Sequence, residues 1–340
     1  PGAAIVVRPG TYDGGVEIAT PDLVIRGVDR FRTVVHGNDA VPTGFTVTAD
    51  NVVIKDLTVR NFTDAGVAIQ DAEGFTVNRV DLIKNRTFGV RASSSRDGVL
   101  KNSFAWGSGD SGFSVASCFG CSVVVRNVTA KTNYVGASLA NATGVVVRDS
   151  RLEGNGVGVL SYSDPAVPSS PGRGALIYGN TIMANNYSSV PAAGLSESIG
   201  LPFGTGVWLA GVKHNEVRSN SISDQDRYGA LVTQSFDGSV PAYNNRTVAN
   251  TVGAAGLYTL AWDGVGENDC FSDNAVDGAT GPPDLQQTYA CANRPFVGTP
   301  FAPVLKDVAA ALAAADGRFT EEPPEPDRPD CQRGRPGCVR

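Results

Sequence analysis

A glycine followed by an apolar residue returns along this chain at Gly66, Gly89, Gly112, Gly136, Gly158, Gly206, Gly229 and Gly256, at intervals of 23, 23, 24, 22, 48, 23 and 27 residues. So regular a period means that one structural unit of about 23 residues is copied along the chain, and few architectures repeat at that length. The interval of 48 reads as one unit carrying two insertions, near residues 164–174 and 187–204.

Within a unit, the residues one and three positions after the glycine are mostly apolar, as in Val67 and Ile69 or Phe113 and Val115. Those two and four positions after it are mixed or polar, as in Ala68 and Gln70. This is the period of two that marks a strand with one buried face. Two or three short strands per unit are too few for a propeller blade, and the leucines and helix of a leucine-rich repeat are absent. A coil of a parallel β-helix fits. The expectation is therefore an all-β, right-handed parallel β-helix over residues 1–300, whose eight marked coils stack into a rod roughly 35–40 Å long. Residues 301–318, with Val304, Leu305, Val308 and Leu312 at helical spacing, predict a C-terminal helix covering the open end of the stack. Residues 319–340 read as an extended Pro-rich tail.

Composition narrows the function classes. The 340 residues carry a formal charge of −6 and no block of Lys and Arg, which argues against nucleic acid as the main partner, although a local basic strip can still hold an anionic polymer. No apolar run approaches a transmembrane segment and no leader is recognisable, so a processed, soluble chain is expected. The six cysteines fall as near neighbours, Cys118 with Cys121, Cys270 with Cys291 and Cys331 with Cys338. They are disulfide candidates suited to an oxidising compartment, the other reading being free buried thiols. With only His36 and His214, a metal site is poorly supplied. The Asn-x-Ser/Thr sequences at Asn61, Asn85, Asn127, Asn141, Asn186 and Asn245 arise naturally from an Asn- and Thr-rich repeat.

The opening RPGTYDGGVEI and LVIRGV, the recurrent V-x-N/D-x-x-V/L and the N-x-x-G-V/A turns resemble right-handed parallel β-helix proteins of the pectate-lyase-like superfamily. The nearest likeness is to secreted bacterial repeat proteins of the carbohydrate-binding and sugar-hydrolase group, which also includes periplasmic β-helix proteins of copper-enzyme maturation. The resemblance spans about residues 1–276. It implies a secreted or extracytoplasmic protein with a polymer lying along the groove beside one sheet, and reacting groups projecting from stacked strands.

On this sequence those positions flank the repeated glycine. Asp110 is the leading acid, since Gly109 to Phe113 resembles the Gly-Asp-Asp-x-Ile strand of polygalacturonase-type glycosidases, with Ser111 in place of the second carboxylate. The bland alternative is an Asp accepting turn N–H bonds. Arg86, Arg91 and Lys131 are candidate cations to neutralise a uronate carboxylate, as a lyase or epimerase requires, or ordinary surface charge. Tyr134, Tyr162, Trp208, Tyr258 and Trp262 form a candidate substrate platform or a shield for the sheet. No cofactor is expected, and calcium lacks the stacked Asp cluster that would hold it. Three readings follow: a polysaccharide lyase, epimerase or hydrolase; a non-catalytic extracellular module binding a glycan or a protein; and, least supported, a metal-enzyme maturation factor.

Overall fold

The structure, a computed structural model, describes residues 2–189, 193, 200–201 and 203–314. The chain winds into a parallel β-solenoid with two long sheets, one of 20 strands and one of 11. The second sheet has one strand per coil, from Val16–Ile18 to Thr280–Gly281, so the rod has eleven coils, or ten strand steps of about 4.8 Å.

Each coil crosses the first sheet and then turns into the second. The first two coils cross the first sheet as two strands each, such as Ala4–Val7 and Gly10–Asp13, and the next two as one long strand, Val53–Arg60 and Thr76–Ile83. Later ones split it into two, as in Val99–Lys101 and Phe104–Trp106. The bend falls where Asp56, Arg79, Asn102, Asn127 and Asp149 hold left-handed backbone with φ of 50–58°. Asn and Asp tolerate that region best, and the exception, Arg79, is tied to Asp56 at 2.6 Å.

The repeated glycine answers a steric demand. A Cβ on Gly136 would lie 2.6 Å from the carbonyl oxygen of Gly158, and one on Gly89 would lie 2.4 Å from that of Gly112. Gly44 stands in the same relation to Gly66, one coil before the series read from sequence. At the other end Thr259, not Gly256, follows Gly229 in the column. The last interval is thus 30 residues rather than 27, and that shift of three moves every assignment in that coil.

Inside the corners, amide ladders satisfy backbone that stacking buries. Asn180, Asn220, Asn250 and Asn274 each pass a side-chain N–H to the next side-chain oxygen of the column at 2.8–2.9 Å, and the run ends on Gln286 Oε1. Asn133, Asn155, Asn185 and Gln225 form a second run. Buried amides without such partners would each cost about 1–3 kcal/mol. Asn85, Asn141 and Asn245 are buried in these corners, which explains why so many Asn-x-Ser/Thr sequences appear.

The C-terminal end closes differently from expectation. The segment holding the short helix Leu285–Thr288 and the turn Cys291–Asn293 covers the last coil, with Leu285 and Tyr289 packed into the main core. A Cys270–Cys291 disulfide pins it. The longer helix, Ala302–Ala313, does not cover the end of the stack. It lies along the outer face of the second sheet, burying Val304 and Val308 against a cluster with Leu160, Trp208 and Leu231. The tail at 319–340 and the Cys331 and Cys338 pair lie outside the described residues. Cys118 and Cys121 form the other disulfide, so the four described cysteines are oxidised.

Candidate functional site

One register column runs along the outer face of the second sheet. From the N-terminal end it reads Glu17, Thr46, Ala68, Arg91, Ser114 and Ser138. It continues as Leu160, Trp208, Leu231 and Ala261. The change from small and polar to apolar coincides with the coils that the C-terminal helix covers. A polymer lying along the whole sheet would meet that helix; in the N-terminal half of the column Glu17 and Arg91 are exposed and Thr46 half-buried, whereas Ala68, Ser114 and Ser138 are buried.

At the boundary several polar side chains converge. Asp110, two residues before its coil's glycine, sits in the turn into the strand Ser111–Cys118 and is 7% exposed. Its backbone oxygen accepts the Val135 N–H at 2.8 Å, and one carboxylate oxygen accepts the Ser111 hydroxyl. The residue in the place of a second acid therefore orients the first. Tyr134, one coil on, is wholly buried, with its ring edge-on to Phe203 at 5.5 Å. Burial, and then the charge of Asp110, push the Tyr134 phenol up from its ordinary pKa.

Tyr162 joins the same group. Burial pushes its phenol up, the Asp110 carboxylate adds to the rise, Arg91 opposes it and Asp164 adds a smaller rise. The charges of Asp110 and Arg91 thus both reach the Tyr162 phenol, although the three residues come from different coils. Arg91 is exposed, its guanidinium 5.0 Å from the Phe88 ring centre. Arg86 is exposed in the preceding turn, where its backbone oxygen accepts the Gly109 N–H at 2.7 Å. Lys131 belongs to the first sheet instead and faces Glu153 at 3.7 Å, which removes it from this group.

The aromatic residues divide. Tyr162 is half-buried and stacks on Phe236 at 5.1 Å. Trp208 is fully buried beneath the C-terminal helix and its neighbours, its indole N–H donating to the Thr233 hydroxyl at 2.9 Å. Tyr258 stands beside Tyr228 and edge-on to Phe301 at 6.0 Å. Trp262 does not face the groove at all. The 30-residue coil puts it three positions after Thr259, in the inward column, where it meets Tyr289 edge-on at 4.7 Å. Trp208 and Trp262, expected on a substrate platform, thus present no ring face to solvent. The signal for Trp262 was the inserted length before Thr259, which a glycine-only count concealed.

The donor set for a metal is thin. Among the described residues no three His, Cys, Asp or Glu side chains come together to hold an ion. His36 accepts the Asn38 N–H at Nδ1, His214 lies edge-on to Tyr243, and Met183 Sδ accepts from Arg151. Asp237 is held by the Ser235 and Ser239 hydroxyls at 2.6 and 2.7 Å within its own turn.

Several solved structures share this fold. The mannuronan C-5 epimerase AlgE6 A-module of Azotobacter vinelandii is 17% identical with a TM-score of 0.56, covering 82% of this chain and 88% of its own. The AlgE4 A-module from the same organism is 18% identical with a TM-score of 0.57, covering 82% and 87%. The alginate lyase of Paenibacillus sp. str. FPU-7 is 14% identical with a TM-score of 0.54, covering 82% and 93%. At these identities the likeness is one of fold. No curated protein matches the sequence. The sequence model of the family described as "Periplasmic copper-binding protein (NosD)" matches residues 10–198, more than half of the chain, and the chain belongs to that family.

Proposed function

We propose that this chain is an extracytoplasmic β-helix protein that binds an acidic carbohydrate polymer on the N-terminal half of the second sheet, around Asp110, Arg91 and Tyr162. The reading is supported by the charges of Asp110 and Arg91 both reaching the Tyr162 phenol, since recognition or chemistry at one sugar needs several polar groups near one point. Arg91 supplies a planar cation for a uronate carboxylate. The raised phenol of Tyr162 stays protonated and donates to a sugar oxygen, and Asp110 supplies an acceptor. A lyase or epimerase needs these kinds of group, whereas a hydrolase needs two carboxylates and finds Ser111 where the second would stand. The two disulfides and the family's periplasmic description support an extracytoplasmic location. Among the described residues no helix is long and apolar enough to cross a membrane.

The family's description also names copper. The residues here do not fit a resident copper site. The two histidines lie on distant coils, the single Met183 is not grouped with other soft donors, and the described cysteines are disulfide-bonded. Copper therefore enters no step of this reading.

The test is binding and turnover of short acidic and neutral oligosaccharides by the wild type, Arg91→Ala, Asp110→Asn and Tyr162→Phe. Acidic oligosaccharides are expected to bind, with at least a tenfold loss in Arg91→Ala. If no acidic oligosaccharide binds, or if all three variants bind as the wild type does, the reading fails. Appearance of unsaturated or epimerised uronate would identify the reaction.

A further inference from the structure

The cations of the first sheet fall in one line. Arg26, Lys55, Lys101, Arg126, Arg148 and Arg218 occupy a single register column. Asn78 stands between Lys55 and Lys101, and Tyr178 between Arg148 and Arg218. Their strand neighbours Ile25, Ile54, Leu100 and Val125 are buried in the core, so alternation turns the cations outward. Strands 22 to 40 residues apart in sequence thereby present a positive group on six of the eight coils from Arg26 to Arg218.

Compensation divides the line. Arg148 pairs with Asp149, and Arg218 with Glu216. Arg26, Lys55, Lys101 and Arg126 form no ion pair among the described residues. These four span four strand steps, about 19 Å. Like charges one step apart repel by about 1 kcal/mol even in water. A rod that needed only solubility would mix signs, as it does at Glu73 and Arg96 or Asp56 and Arg79. Two residues earlier in each strand, Val24, Val53, Thr76, Val99 and Val124 form a half-buried aliphatic column beside the charges.

We propose that this face is a second docking surface, for a linear polysaccharide bearing a carboxylate or sulfate on each sugar. The charges lie in a line at a spacing fixed by the strand pitch, close to the length of one extended sugar residue, and the aliphatic column offers a rail for sugar C–H faces. A membrane surface would be met by an area of charge rather than a line. Single-stranded nucleic acid would call for stacked aromatic platforms, and the column holds one aromatic residue, Tyr178. The surface shares no residue with the Asp110 site, so it extends the carbohydrate reading to another face and can stand or fall separately.

The experiment uses the full chain carrying Arg91→Ala, which silences the other site. Calorimetric titration with long polymannuronate at low and high salt is compared in that protein and in one also carrying Arg26→Gln, Lys55→Gln, Lys101→Gln and Arg126→Gln. The expected result is salt-sensitive binding that weakens tenfold or more in the multiple variant, with a shallower dependence on salt. Lys101→Glu alone, at one surface position, is expected to weaken binding severalfold and serves if the multiple variant does not fold. Absence of polymannuronate binding at low salt, or unchanged affinity in folded variants, would overturn the proposal. So would tighter binding to phosphatidylglycerol vesicles or to single-stranded DNA than to the polysaccharide.

Discussion

The Tyr228 hydroxyl donates a 2.6 Å hydrogen bond to Asp307 Oδ2, and the other Asp307 oxygen pairs with Arg227. A carboxylate on the C-terminal helix thus fastens that helix to two adjacent residues of the second sheet. Together with Val304 and Val308, this contact holds the helix over the C-terminal half of the sheet's outer face.

Asp307→Ala should loosen the helix without unfolding the rod. A hydrogen bond to a charged group contributes about 1.5–3 kcal/mol, and here the lower end applies because Arg227 and Asp307 are partly exposed. Hydrogen exchange of the Ala302–Ala313 amides should speed up about tenfold while the coil amides keep their protection.

Two carboxyls near the C-terminal end make stability fall as pH rises. Burial pushes Asp263 and Asp269 up to about 7 each. Asp269 also faces the charges of Asp263, which raises it further, and Arg294, which opposes the rise. The unfolded carboxyls titrate near about 3.9. The folded state therefore holds extra protons between the two values. The stability they contribute is fully present below about pH 4 and is lost as pH climbs to about 7. Asp269 also ends an amide ladder, accepting from the Asn245 N–H and Nδ2 at 2.9 and 2.8 Å. Asp269→Asn keeps that acceptor without the charge, so it should raise the melting temperature at pH 8 and flatten its pH dependence; an unchanged profile would count against this account.

Gly136→Ala should destabilise by about 1–3 kcal/mol, because its Cβ meets the next coil's carbonyl oxygen at 2.6 Å and neither backbone can move without shifting the stack. Urea denaturation compares it with Gly144→Ala, where nothing lies within 4 Å and only the positive φ opposes the methyl group.

Trp262→Ala should cost about 3–5 kcal/mol by leaving a cavity where the terminal aromatic cluster now packs. A surface platform residue would cost far less. Thermal unfolding of this variant beside Tyr162→Ala separates a core tryptophan from a groove aromatic.

Local chemistry made much of this protein legible in its sequence. A glycine every 23 residues reports a place where coils approach too closely for a side chain, and alternation after it reports which residues face the core. Cys118 with Cys121 and Cys270 with Cys291 were readable as pairs because each joins neighbours within one turn or coil. Asp110 stood out by its turn, but its link to Arg91 and Tyr162 did not, since coils bring those residues together and sequence distance does not measure coil steps.

The phase of each coil was the property that tertiary structure had to settle. Thr259 in the glycine column sends Trp262 inward, because side-chain direction alternates residue by residue while an insertion can fall anywhere in the turn. The covering of Trp208 depends on a helix almost 100 residues away packing back on the sheet. The line from Arg26 to Arg126 exists only once strands are stacked in register. Sequence by itself determined the repeat and its buried face, which depend on neighbours along the chain. Stacking decided which outer surfaces are open and which charges align, because those depend on residues that become neighbours only across coils.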